Sequence, residues 1–131
     1  MTAPATTTYG LHLMLDCYGA DPSKLDDLCL LYETLDSLPD IIGMRKIGPP
    51  QMVRFNDPDI AGVSGVIMIV ESHISIHAYS KKDFLSVDVY SCKRFDFEKA
   101  AEYVKTVYGV RDMDVQTVDR GKRFPARNLH E

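Results

Sequence analysis

The sequence predicts an α+β fold: an antiparallel sheet with two main helices packed on one face, a two-layer sandwich. Segments that alternate polar and apolar residues outnumber those with helical spacing, the connections among the central ones are short, and two stretches combine a helical stripe with a cap. The size agrees. A chain of 131 residues with 45% apolar side chains builds one domain, residues 1–131, around a single core.

The elements follow in order. From Tyr9 onward, Leu11, Leu13, Leu15 and Cys17 alternate with His12, Met14 and Asp16, the period of a strand. The Thr- and Ala-rich residues before it are expected to fray. Asp21-Pro22 supplies an N-cap and a first-turn proline for a helix whose stripe is Leu25, Leu28, Leu31 or Tyr32, and Leu35, and which should stop before Pro39. Pro49-Pro50 marks a turn, Met52 to Phe55 a short strand, and residues 56–59 a loop. The Val- and Ile-rich stretch from Gly62 to Tyr79 is too long for one average strand, so two extended pieces are expected with an irregularity near Glu71-Ser72. Lys81 to Asp83 is a polar turn and Phe84 to Ser91 another strand. Asp96 caps a second helix with the stripe Phe97, Ala100, Ala101, Val104 and Tyr108, stopped by Gly109. Met113, Val115 and Thr117 alternate with polar residues in a last strand.

Charge and cysteine usage exclude several classes. The net charge of −4 argues against a nucleic-acid partner, which needs a basic face to neutralise phosphates. Residues 1–71 hold four bases against ten acids, a charge of −6, while residues 72–131 hold eleven against nine, a charge of +2. Cys17, Cys29 and Cys92 are odd in number and contain no C-x-x-C pair, which fits neither a disulfide framework nor a zinc ribbon and suits a reducing, cytoplasmic setting. The start has no basic segment followed by an apolar one, so no secretory signal is expected. The longest strongly apolar run, Val66 to Val70, is far short of the ~20 residues that span a bilayer, so no membrane partner is expected. Arg120, Lys122, Arg123 and Arg127 read as a solvated tail or a clasp on an acidic neighbour.

The richest chemistry lies in Glu71-Ser72-His73-Ile74-Ser75-Ile76-His77, followed at a distance by Cys92. A hydroxyl, two imidazoles and a carboxylate beside an apolar run are costly to bury unless they satisfy one another. The plainest reading is a half-exposed strand with polar alternate residues. His73 and His77 would share a metal on a helix, but on a strand they stand ~13 Å apart, far beyond the ~2 Å metal–nitrogen bond, so no metal site is expected. A Ser-His-Asp hydrolase with Asp88 as orienting acid lacks the G-x-S-x-G elbow around Ser72.

A further reading comes from likeness. GVSGVIMIVESHISIH, the later VDVYSC and the opening GLHLMLDCYGADP resemble the small prokaryotic S-adenosylmethionine decarboxylases, which are pyruvoyl-dependent enzymes of polyamine synthesis. The likeness runs from about residue 9 to 119. It includes the E-S-H-x-x-I-H core, Ser64 eight residues before the core serine and Cys92 twenty after it.

The resemblance implies that the chain cuts itself between Glu71 and Ser72 into pieces 1–71 and 72–131. The Ser72 hydroxyl would attack the Glu71 carbonyl and convert the amide to an ester. Elimination to dehydroalanine and loss of ammonia would leave a pyruvoyl group at residue 72, with His77 as proton acceptor and Ser64 assisting. An attacking serine needs a strained or exposed peptide and a nearby proton acceptor. The resulting ketone replaces pyridoxal phosphate: it binds the substrate amine as a Schiff base and withdraws the electrons left by carbon dioxide. The resemblance assigns the return of a proton to Cys92, a role that suits a tunable thiol. Cys17 and Cys29 are expected in the core.

Adenine and sulfonium both suit aromatic rings, which makes Tyr79, Phe55 and Phe84 candidates for substrate contact. Relatives carry an acid that holds the ribose hydroxyls where this chain has Lys81, which cannot accept such a hydrogen bond. The alternative substrate is therefore arginine or ornithine, with Asp16, Glu71 or Asp88 for its basic end. A non-catalytic regulatory relative is the other alternative. The resemblance also implies a homodimer of cleaved protomers with sites at the interface, for which one open sheet face gives a physical reason.

Overall fold

The computed structural model describes residues 5–130. Residues 1–4, part of the stretch expected to fray, lie outside them. The elements are β1 (Thr6–Thr7), β2 (Gly10–Tyr18), α1 (Pro22–Leu25), α2 (Leu28–Ile41), β3 (Arg45–Asn56), β4 (Ala61–Val70), β5 (Ser72–Tyr79), a single 3₁₀ turn (Ser80–Lys82), β6 (Phe84–Ser91), α3 (Phe97–Tyr108), β7 (Asp112–Arg120) and β8 (Phe124–Pro125). Six strands form one antiparallel sheet in the order β3-β4-β5-β6-β2-β7, and β1 pairs separately with β8. The fold is the expected α+β sandwich.

Alternation decides which face is covered. Leu11, Leu13, Leu15 and Cys17 of β2, Val63, Ile67 and Ile69 of β4, Ile74, Ile76 and Ala78 of β5, and Leu85, Val87 and Val89 of β6 are all buried. They meet Leu31, Leu35 and Leu38 of α2 and Ala100, Val104 and Tyr108 of α3 in one core. Burying each such aliphatic side chain contributes roughly 1.5–3 kcal/mol before chain entropy is charged against it. The opposite face of the sheet carries the intervening residues, among them His12, Ser64, His73, His77, Asp88 and Tyr90, and among the described residues no helix covers it.

Capping matches the sequence reading. The Asp96 side chain accepts from the Lys99 N–H at 3.1 Å to start α3, and Gly109 ends it at φ 62°, a left-handed position that glycine adopts without a Cβ penalty. Asp21 caps α1 with Pro22 in its first turn, but the helix does not continue as expected. The chain leaves helical geometry at Asp26-Asp27, and Asp27 caps α2 by accepting from the Leu30 N–H at 3.1 Å. Nor does the helix stop before Pro39. That residue is buried in the last turn, where its missing N–H removes one hydrogen bond while its carbonyl still accepts from Met44 at 2.8 Å.

β3 is much longer than the expected four residues, and Pro49-Pro50 lies inside it. The register slips between Ile47 and Gln51, and Gly48 takes φ 74° there. An edge strand tolerates this because one side of its ladder has no partner to lose. Gly62 to Tyr79 does divide into two strands, β4 and β5, with Glu71 alone between them. The N-terminal residues within the described range are not frayed, since Thr6 and Thr7 pair with Pro125 and Phe124. Among the described residues no helix is long and apolar enough to cross a membrane.

Candidate active site

The β4–β5 hairpin tip and the end of β6 meet at one end of the sheet's central strands. Pairing places Ser72 beside Ser91 and His73 beside Tyr90, which brings Cys92 next to Glu71. The Cys92 N–H donates to the Glu71 carbonyl at 3.4 Å. That carbonyl belongs to the Glu71–Ser72 peptide, so the donor is aimed at the oxygen that gains charge when the bond is attacked. Ser72 itself has φ 117°, a value ordinary strand residues do not adopt. Such backbone costs about 1–3 kcal/mol and persists only where its surroundings impose it.

Tyr9 closes this end. Its hydroxyl donates to Glu71 Oε2 at 3.0 Å, and its ring packs against Tyr90 and Phe124 at centroid distances of 5.8 and 5.0 Å. The nearby Ser72 hydroxyl pulls the phenol pKa down, while desolvation and the Glu71 carboxylate together raise it above the ordinary tyrosine value. Around Tyr90 lie His12 and His73 at 5.6 and 5.9 Å, with the Arg120 guanidinium 4.4 Å from the ring centroid. Arg120 is thus not part of a purely solvated tail. His12 Nε2 is 2.9 Å from Asp88 Oδ1, which gives Asp88 a histidine partner but not one shared with Ser72. The Ser72-His-Asp88 arrangement is not assembled.

A second polar pair lies farther along the hairpin. Ser64 Oγ and His77 Nδ1 are 2.8 Å apart, held by their direct pairing across β4 and β5. Ser64 is buried while His77 is exposed on the open sheet face. Five residues of strand separate Ser72 from His77, about 16 Å, so one chain does not bring Ser64 and His77 to Ser72. His73 and His77 likewise have separate neighbours, Tyr90 and Ser64.

The expected aromatics cluster at that far end. Phe55, Ile60, Ser64, His77 and Tyr79 line a hollow of about 410 Å³, and Tyr79 stacks on Phe84 at 6.3 Å with rings inclined by 26°. Lys81 and Lys82 join Tyr79 and Phe84 around an adjoining hollow of about 330 Å³. Asp16 stands on the open face of β2 opposite Ser86 and Asp114, away from Ser72. Of the other cysteines, Cys17 is buried as expected. Cys29 is exposed, because it falls outside the α2 stripe of Leu31, Leu35 and Leu38. Tyr9, His12, Tyr90 and Arg120 were not legible as site residues in the sequence. They come from three separate segments, the start of β2, β6 and β7, and the β2–β6 and β2–β7 registers bring them together.

Comparison with known proteins gives one consistent result. A family model described as S-adenosylmethionine decarboxylase matches residues 11–121. The chain is 34% identical over 116 residues to an S-adenosylmethionine decarboxylase proenzyme of Persephonella marina, covering 87% of this chain and 84% of that one. It is 30% identical over 116 residues to an S-adenosylmethionine decarboxylase proenzyme 2 of Bacillus cereus, covering 88% and 91%. Among solved structures, the crystal structure of the adenosylmethionine decarboxylase of Aquifex aeolicus superposes with a TM-score of 0.77 at 31% identity, covering 94% of this chain and 99% of that one.

Proposed function

Because the chain belongs to the S-adenosylmethionine decarboxylase family, we propose that it is a self-processing decarboxylase of S-adenosylmethionine. Its pyruvoyl group arises from Ser72, and its product serves as aminopropyl donor in spermidine synthesis. The observation that carries this reading is the Glu71–Ser72 junction: a serine backbone at φ 117° next to a carbonyl held by the Cys92 N–H. Attack by Ser72 Oγ on the Glu71 carbon turns that carbonyl into an oxyanion, and a donor already in place stabilises it without reorganisation. Relief of the Ser72 backbone favours the ester over the amide.

The pyruvoyl group supplies a conjugated carbonyl that takes up the electron pair left by carbon dioxide. The Cys92 thiol, adjoining Glu71, returns a proton to the carbon that lost carbon dioxide. His77, hydrogen-bonded to Ser64, is the base that removes the Ser72 Cα proton when the ester is eliminated. Since that pair lies about 16 Å from Ser72 in its own chain, it acts on a second copy. Two open sheet faces related by a two-fold axis near Ser75, midway along β5, set the hairpin tip of one protomer against Ser64 and His77 of the other. Val53, Phe55, Met68 and Val118 are 49%, 46%, 54% and 45% exposed on that face, apolar surface that a homodimer buries. Three free cysteines support a reducing, cytoplasmic setting.

Phe55, Tyr79 and Phe84 offer ring faces to adenine and sulfonium. A second reading, decarboxylation of arginine or ornithine, rests on Lys81: the ammonium beside Tyr79 cannot itself accept from a ribose hydroxyl, which leaves Asp59 as the carboxylate lining that hollow.

Intact-mass analysis of the expressed protein tests the reading. The expected result is two pieces of 71 and 60 residues, the second blocked at its N-terminus by a group that reacts with borohydride. Labelled carbon dioxide should be released from S-adenosylmethionine and not from arginine or ornithine; the reverse result selects the second reading. Ser72→Ala should leave one uncut chain. Cys92→Ala should be cut yet lose roughly 10²-fold or more in turnover. A wild-type protein that stays whole overturns the proposal.

A further inference from the structure

We propose that Tyr9 and Glu71 form the proton relay for the first step of self-cleavage, an inference that rests on the self-processing reading above. That step needs a base for the Ser72 hydroxyl. His77 is too far along its own strand, and the His77 of a second copy is engaged by the later Cα proton, whereas the Tyr9 hydroxyl donates to Glu71 Oε2 at 3.0 Å and lies close enough to the Ser72 side chain for the two to interact. A phenol donates one proton and accepts another through the same oxygen. As Ser72 Oγ bonds to the Glu71 carbonyl carbon, its proton passes to the Tyr9 oxygen and the Tyr9 proton passes to the Glu71 carboxylate. When the tetrahedral adduct collapses, the Glu71–Ser72 carbon–nitrogen bond breaks, and the proton held on the Glu71 carboxyl returns to the departing Ser72 amine. Tyrosine and glutamate end as they began, and no outside acid or base is consumed. Because both protons move together, tyrosinate never accumulates, and a raised phenol pKa is no obstacle.

The surroundings fit the task. The Tyr9 ring is fixed between Tyr90 and Phe124, and its backbone N–H donates to the Gly121 carbonyl at 3.0 Å, so the hydroxyl is held by groups other than the one it serves. The scissile residue thereby contributes twice, its carbonyl as electrophile and its carboxylate as the terminal base.

The test follows cutting of freshly synthesised full-length chain by intact mass, with and without hydroxylamine, which cleaves esters and leaves amides. Tyr9→Phe keeps the ring and removes the relay. It should slow cutting roughly a hundredfold, with an unchanged melting temperature and no acceleration by hydroxylamine, because the block precedes the ester. Glu71→Gln should slow cutting to a similar extent, and the double variant should be no slower than the slower single one. Wild-type cutting by Tyr9→Phe, additive effects in the double variant, or an ester that hydroxylamine releases from Tyr9→Phe would each overturn the relay. A wild-type chain that never cuts would overturn the self-processing reading instead.

Discussion

At the scale of single residues, the three cysteines differ by environment. Cys17 lies in the sheet core, where desolvation, with the Asp16 charge adding to it, pushes its pKa up to about 12. Reaction with alkylating reagents goes through the thiolate. At pH 8, far below that value, Cys17 stays protonated in the folded protein. Cys29 is exposed and Cys92 half-buried at the site edge. Iodoacetamide on the native protein at pH 8 should therefore label Cys29 and Cys92 and spare Cys17, with Cys17 appearing only as the pH approaches 12 or on denaturation; peptide mass mapping reads the three sites. Equal labelling of Cys17 in the folded state would contradict its burial. Sequence pattern alone indicated Cys17, because it shares a period-2 face with three leucines. Cys29 was misread because being near a leucine stripe is not the same as being in it.

At the scale of elements, the hairpin tip depends on how closely β2 and β6 approach each other. A Cβ placed on Gly10 would overlap the Ser91 carbonyl oxygen and lie 2.8 Å from Cys92 Cα. Both are backbone atoms and cannot rotate away. Gly10→Ala must shift the end of β6, and with it the Cys92 N–H that holds the Glu71 carbonyl. We expect a stability loss of about 1–3 kcal/mol and cutting slowed at least roughly tenfold, which is the cost of displacing one oxyanion donor by a fraction of its reach; thermal melts and a cutting time course measure the two. Cutting at the wild-type rate would show that this approach is incidental. Period-2 alternation and the Asp96 and Gly109 caps made β2, β5, β6 and α3 legible, because each follows from local chemistry. The division of α1 from α2 and the helical Pro39 did not follow, because tertiary burial overrode local propensity there. β3 was underestimated because an edge strand absorbs Pro49-Pro50 by slipping register, which depends on a partner strand that no local pattern describes.

At the scale of the whole molecule, the separation within the hairpin decides how many chains make one site. The resemblance around E-S-H-x-x-I-H proposes Ser72 and His77 as partners, and nothing in that spacing distinguishes action within a chain from action between chains. The strand bears on the choice, since five extended residues hold the two side chains about 16 Å apart. If His77 serves the Ser72 of its partner, two differently crippled chains should repair each other. A Ser72→Ala chain cannot be cut but retains Ser64–His77, and a His77→Ala chain retains its Ser72 but has no base to offer. Expressed alone, neither should yield pyruvoyl-bearing product. Co-expressed with distinguishable tags, the mixed dimers should cut the His77→Ala chain and never the Ser72→Ala chain. Random pairing places half of all dimers in the mixed state, so with equal expression about half of the His77→Ala chains should mature. Intact mass after tag separation reads this directly. Absence of any cutting in the mixture would require the base to come from the same chain as the serine, which this hairpin permits only by unpairing β5 from β4.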